Sequence, residues 1–184
     1  MPTVFSHPAV PLALGLGLGP EIVPRRLVAA GVVASILPDL DVVTFHLGIP
    51  YSADLGHRGL SHSFLLAALV AFAGAAGHRA LQAGFARAFL FLFVAAASHG
   101  VLDAFTDGGL GVAFFWPVSG RRFFAPAAWR VVEVSPISVS GFLSWRGLVV
   151  LGSELRWIWP PVAALGLILF GVRRGLGRRE RTLG

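Results

Sequence analysis

The stretch HRGLSHS, residues 57–63, puts two histidines and an arginine between long apolar runs. His57 and His62 flank a turn containing Gly59, and Ser61 or Ser63 can cap the helix that follows. The positive end of a helix dipole disfavours an imidazolium, and the neutral ring is the form that ligates metal. SHGVLDAFTDGG places His99 and Asp103 at i and i+4, hence on one face of a helix. A nitrogen and an oxygen one turn apart can close on one ion, although an ordinary His–Asp hydrogen bond has the same spacing. SILPDLDVV adds Asp39 and Asp41 directly after an apolar run. There Pro38 is expected to break or redirect the helix, so that the carboxylates emerge in an extended turn. His7 stands just ahead of the first apolar run.

Without a single cysteine in the chain, any metal must be held by histidine and carboxylate. Imidazole and carboxylate together suit Zn²⁺ or another borderline divalent ion better than Ca²⁺. A catalytic zinc takes only three protein ligands, so the set His7, Asp39, Asp41, His57, His62, His99 and Asp103 points to more than one ion or to residues that orient the ligands. The chemistry such a site supplies is hydrolysis by activated water. Whichever of Asp39 and Asp41 is not a ligand can serve as general base. Arg58, Arg121 and Arg122 carry forks that match phosphate oxygens, and equally suit lipid headgroups. His46 and His78 lack ligand spacing or fall at the other end of the threaded chain.

The elements that must gather these residues are membrane helices. Hydrophobic residues make up 55 % of the 184 and charged ones 13 %, with a mean hydropathy of +0.76, outside the soluble range. The expected architecture is an all-α, polytopic membrane bundle forming a single domain. About five spans are expected, at 8–24, 27–43, 62–77, 86–103 and 157–172, several of them short for a bilayer. The net charge of +6 comes from fifteen arginines, spread over loops and tail, so anionic lipid is a better partner than nucleic acid. Threading from His7 outside puts Arg25, Arg26, Arg79, Arg87 and the basic tail 173–184 on one face, which the positive-inside rule makes cytoplasmic. The same threading delivers all seven candidate ligands to the extracytoplasmic side. Residues 104–156 mix aromatics with arginines and are expected at the interface, as a lid over the cluster or an amphipathic anchor. Within them, 139–159 is expected to run along the surface until Pro160 and Pro161 turn it into the last span.

Taken in order, the leading histidine, PDLD, HRGLSHS, SHGVLDAFTDGG and FFWPVSGRRFF resemble the YdjM-like proteins of the bacterial inner membrane, a family described as metal-dependent hydrolases. The resemblance covers about residues 7–172. It implies ligands at His7, at one of Asp39 and Asp41, at one or both of His57 and His62, and at His99 and Asp103. It further implies a distant similarity to the zinc-dependent phospholipase C and P1 nuclease group. The later histidine and glutamate ligands of that group have no counterpart here, which favours one or two zinc ions. With the site at headgroup level, a lipid or lipid-linked phosphoester is the expected substrate. The alternative is a non-enzymatic membrane protein that binds metal for structure or carries metal ions or protons. Transport predicts polar groups through the depth of the bundle, whereas here they gather at one end.

Overall fold

A computed structural model describes residues 1–183, with side chains through 176. Its helices are α1 (Ala9–Leu18), α2 (Arg25–Ile36), α3 (Val43–His46), α4 (Phe64–Ala76), α5 (Phe85–Ala104), α6 (Val139–Phe142), α7 (Trp145–Trp157) and α8 (Trp159–Leu183). Tighter 3₁₀ turns occupy Leu37–Val42, Leu60–His62 and Ala127–Trp129. Among the described residues, extended pairing is limited to isolated bridges, Thr106 with Val132 and Val112 with Phe123. The chain is an all-helical membrane bundle.

Small residues let its helices approach. Ala67, Ala71 and Ala75 on α4 recur every fourth position and are buried, so one face of α4 lies flat against α5, which answers with Ala88, Leu92 and Ala96. On the other side of α5, Phe91 packs where Gly31 of α2 has no side chain; a Cβ there would come within 2.5 Å of the ring. The α1–α8 contact brings backbone against backbone, since a Cβ on Gly17 would sit 2.8 Å from the Gly166 carbonyl oxygen. Where lipid tails are as apolar as leucine, close backbone packing of this kind holds helices together. The large apolar side chains point outward instead: Leu69, Phe72, Leu90, Leu167 and Ile168 are all exposed.

Three helical stretches are long and apolar enough to cross a bilayer: Arg25–His46, Phe85–Ala104 and Trp145–Leu176. They coincide with three of the five expected spans, and the other two fall on the shorter apolar helices α1 and α4. The 13 residues of α4 reach only about 20 Å at 1.5 Å per residue, short of the roughly 30 Å hydrocarbon core. The last stretch takes in α7 together with α8. Pro160 and Pro161 lie in the first turn of α8, where a missing N–H costs nothing, so α7 leads into α8 with a break only at Ile158. Pro38 likewise does not open an extended turn. It falls at the start of the 3₁₀ turn Leu37–Val42, a position that tolerates proline, and the helical path carries on into α3.

Region 104–135 is tied to the end of the bundle that carries the histidines. Ala113 N–H donates to the Arg58 carbonyl at 3.0 Å, Phe64 N–H to the Phe114 carbonyl at 3.0 Å, and Ala125 N–H to the Ala104 carbonyl at 2.9 Å. The fold therefore closes the segment over HRGLSHS and the end of α5.

Candidate metal centre

His99 and Asp103 project from one face of α5 and are fully buried. The Nδ1 of His99 lies 2.7 Å from the Ser35 carbonyl of α2, an acceptor that fixes the proton on Nδ1 and turns the lone pair of Nε2 inward. His7, just before α1, stacks on His99 with ring centroids 3.6 Å apart.

The 3₁₀ turn explains what PDLD does. At three residues per turn, positions two apart point in different directions. Asp39 faces His7 and His99, at 3.5 Å and 3.4 Å from their Nε2 atoms. Asp41 faces HRGLSHS, where its carboxylate accepts from His57 Nδ1 at 2.6 Å, from the Arg58 N–H at 3.1 Å and from the Ser61 hydroxyl, and lies 3.3 Å from His62 Nδ1. Asp41 is therefore spent on orienting two imidazoles. Ser63, rather than Ser61, caps α4, accepting from Leu66 N–H at 3.1 Å. Gly59 permits the turn, because a Cβ there would fall 2.1 Å from the Asp54 carbonyl oxygen.

Two triads result, His7 with His99 and Asp103, and Asp39 with His57 and His62. They adjoin: His62 Nε2 lies 3.0 Å from His99 Nε2 and 3.1 Å from Asp103 Oδ2, and His7 Nε2 lies 3.8 Å from Asp103 Oδ1. Atoms that share a tetrahedral ion at 2.0–2.1 Å stand about 3.3 Å apart, and the spacings within the cluster scatter around that value. Both nitrogens of His7 and both oxygens of Asp39 are buried without a hydrogen-bond partner. Buried polar atoms are ordinarily satisfied, so an orphaned set aimed at one point fits a divalent cation. Charge agrees with geometry, since three carboxylates face one guanidinium here. Two of the site's histidines are shifted in opposite directions. Burial, reinforced by His99, pushes His7 down to about 3. Burial also opposes charge on His62, but hydrogen bonds to Asp103 and Asp41 outweigh it and raise His62 to about 9. A proton on His62 stands where the cation's charge belongs.

Two of the three arginines are engaged within the protein. Arg58 is fully buried at φ 62°, with Nε 3.0 Å from Asp103 Oδ2 and its other nitrogens donating to the Gly108 carbonyl and Thr106 Oγ1 at 3.0 Å. Its guanidinium holds a carboxylate of the site and is enclosed by protein. Arg122 donates to the carbonyls of His57, Tyr51 and Ala53, bracing the histidine loop from outside. Arg121 is exposed, over the ring of Phe123.

One residue escaped the sequence reading. Glu154 of α7 is buried and accepts from the backbone N–H of Thr3, from Thr3 Oγ1 at 2.6 Å and from Ser6 Oγ at 2.6 Å, while Trp159 Nε1 donates to the same Ser6 hydroxyl at 3.1 Å. This clamp fixes the segment that carries His7. Its signal was an acid inside an apolar stretch. Glu133, the other downstream acid, pairs with Arg146 at the surface.

Comparison with known proteins agrees with this architecture. The model of the YdjM inner membrane protein family matches residues 1–176. The chain is 44 % identical over 176 residues to inner membrane protein YbcI of Escherichia coli strain K12, covering 94 % of this chain and 96 % of that protein. No solved structure matches, and the similarity to the phospholipase C and P1 nuclease group gains no support.

Proposed function

The chain belongs to the YdjM inner membrane protein family, and from that premise we propose that it is a metal-dependent hydrolase acting on a phosphoester of a lipid or lipid-linked molecule. The observation that carries the reading is the buried convergence of the triads His7, His99, Asp103 and Asp39, His57, His62, with His7 and Asp39 otherwise unpartnered. These six side chains would hold one or two divalent ions, zinc best matching an all nitrogen and oxygen donor set. When bound, such an ion supplies Lewis acidity and a water activated near neutral pH.

The chain's own residues do the rest. Asp41 keeps His57 and His62 turned toward the site, and the Ser35 carbonyl does the same for His99. Arg58 steadies Asp103 and offsets one of the buried negative charges. Asp39, one of the six, also borders an open cleft, which gives a substrate access to the ligand set. Arg121, exposed on the covering loop, is the arginine of the three free to meet a phosphate oxygen. Hydrolysis adds water across the P–O ester bond: the oxygen goes to phosphorus, and the departing alcohol leaves with a proton. The cluster end of the bundle faces away from the cytoplasm in this reading, with the arginine-bearing tail inside. Arg178, Arg179 and Arg181 of that tail lie outside the residues whose side chains are described.

The test is purification in detergent, elemental analysis, and assay of phosphate and headgroup release from inner-membrane lipids. His99→Ala and Asp103→Ala are each expected to remove both metal and hydrolysis. Hydrolysis untouched by both changes refutes the proposal, and metal flux into proteoliposomes without hydrolysis favours the transport role instead.

A further inference from the structure

Beside the metal centre a cleft of about 450 Å³ opens between the N-terminal segment, α2 and the residues ahead of α6. Its walls are Val4, Val33, Ile36, Leu40, Val42 and Ile137, and the carboxylate in that wall is Asp39. A volume of this size falls in the range of small-molecule pockets, roughly 300–1,000 Å³. Two features set it apart from an ordinary gap between helices. Asp39 is 8 % exposed and both its oxygens lack a hydrogen-bond partner, so the mostly apolar lining carries one buried carboxylate open to a ligand. Part of the lining belongs to the apolar stretch Arg25–His46, with Val33 56 % and Leu40 66 % exposed.

We propose that this cleft takes one acyl chain of a bilayer phospholipid and thereby presents the polar end of the molecule to the metal ligands. The inference rests on the hydrolase reading for the chemistry at Asp39 and adds the substrate class: an amphiphile with a flexible hydrocarbon chain, entering sideways from the lipid. A water-soluble phosphoester would leave the valine, leucine and isoleucine walls wet, whereas an acyl chain replaces that water. Each methylene buried contributes about 0.8 kcal/mol, or roughly fourfold in affinity. Val33 and Ile137 line the cleft, are exposed, and are not among the proposed ligands, so they are the positions at which to fill it.

The experiment reconstitutes the full chain in phosphatidylethanolamine and phosphatidylglycerol vesicles doped with a phosphatidylcholine bearing a photoreactive diazirine on one acyl chain. Cross-links are mapped by mass spectrometry in the wild type and in Val33→Trp and Ile137→Trp, with metal content measured in each. The expected result is labelling concentrated on the cleft walls and lost in both tryptophan variants, at unchanged metal content. In detergent, KM for soluble phosphoesters should fall about fourfold per added methylene, and the variants should flatten that series. Labelling spread evenly over the outer faces of α4 and α8, or unaffected by either tryptophan, overturns the proposal. Hydrolysis speaks to the other reading: cleft labelling without turnover refutes the hydrolase and leaves the acyl site standing, while turnover without cleft labelling refutes the acyl site.

Discussion

At the scale of single residues, the cluster separates side chains that would touch the ion from those that aim them. Asp41 spends both oxygens on His57, His62, Ser61 and the Arg58 N–H, and such orienting partners are worth about 10–100-fold in metal affinity. Asp41→Asn is therefore expected to weaken zinc binding by about that factor, read by competition with a chromophoric chelator, while His99→Ala abolishes it. Equal loss from the two changes would place Asp41 among the ligands. Protonation gives an independent check. In the ion-free protein His62 is raised to about 9, so at pH 7.5 it carries a proton that metal must displace. Titration calorimetry in two buffers of different ionisation enthalpy should show about one proton released per site, and the release should vanish above the raised pKa. The i, i+4 pair His99 and Asp103 could be read directly from the chain because helical spacing dictates a shared face. PDLD could not be resolved in that way: whether Asp39 or Asp41 meets the cluster depends on a 3₁₀ turn, which local sequence signals poorly. Arg58 resembled a substrate clamp because nothing in HRGLSHS reveals its positive φ or the carbonyl and hydroxyl waiting within the fold.

Among the helices, the decisive link is between α7 and the N-terminal segment. Glu154 gathers Thr3 and Ser6 and so holds His7 over His99 from a helix that contributes no ligand. Glu154→Ala leaves three buried donors unpaired at about 1–3 kcal/mol each, so both thermal stability in detergent and metal content should fall, with Glu154→Gln restoring part of each. A variant that keeps its metal would show that His7 is placed by α1 alone. The same interaction marks where sequence reading ends, since a contact between residues 6 and 154 has no local periodicity to betray it. Helix ends were more accessible. Ser63 as the cap of α4 follows from ordinary capping chemistry, whereas the helical turn that holds Pro160 and Pro161 was hidden because a first helical turn accepts proline.

For the molecule as a whole, composition announced a membrane bundle, and the helices supply three stretches able to cross with two shorter ones packed among them. The positive-inside argument goes further and assigns sides. Because the chain lacks cysteine, single replacements report orientation cleanly: Leu110→Cys, near the cluster, should react with an impermeant maleimide in intact cells, and Gln82→Cys only after permeabilisation. The reverse pattern would invert the topology. The central claim, that distant segments converge on a divalent centre, is met most directly by X-ray absorption at the zinc edge on purified protein. The account predicts near-stoichiometric metal with imidazole and carboxylate donors at about 2.0–2.1 Å, and a shell that collapses in His99→Ala. Metal-free protein, or a shell indifferent to His99, would contradict it.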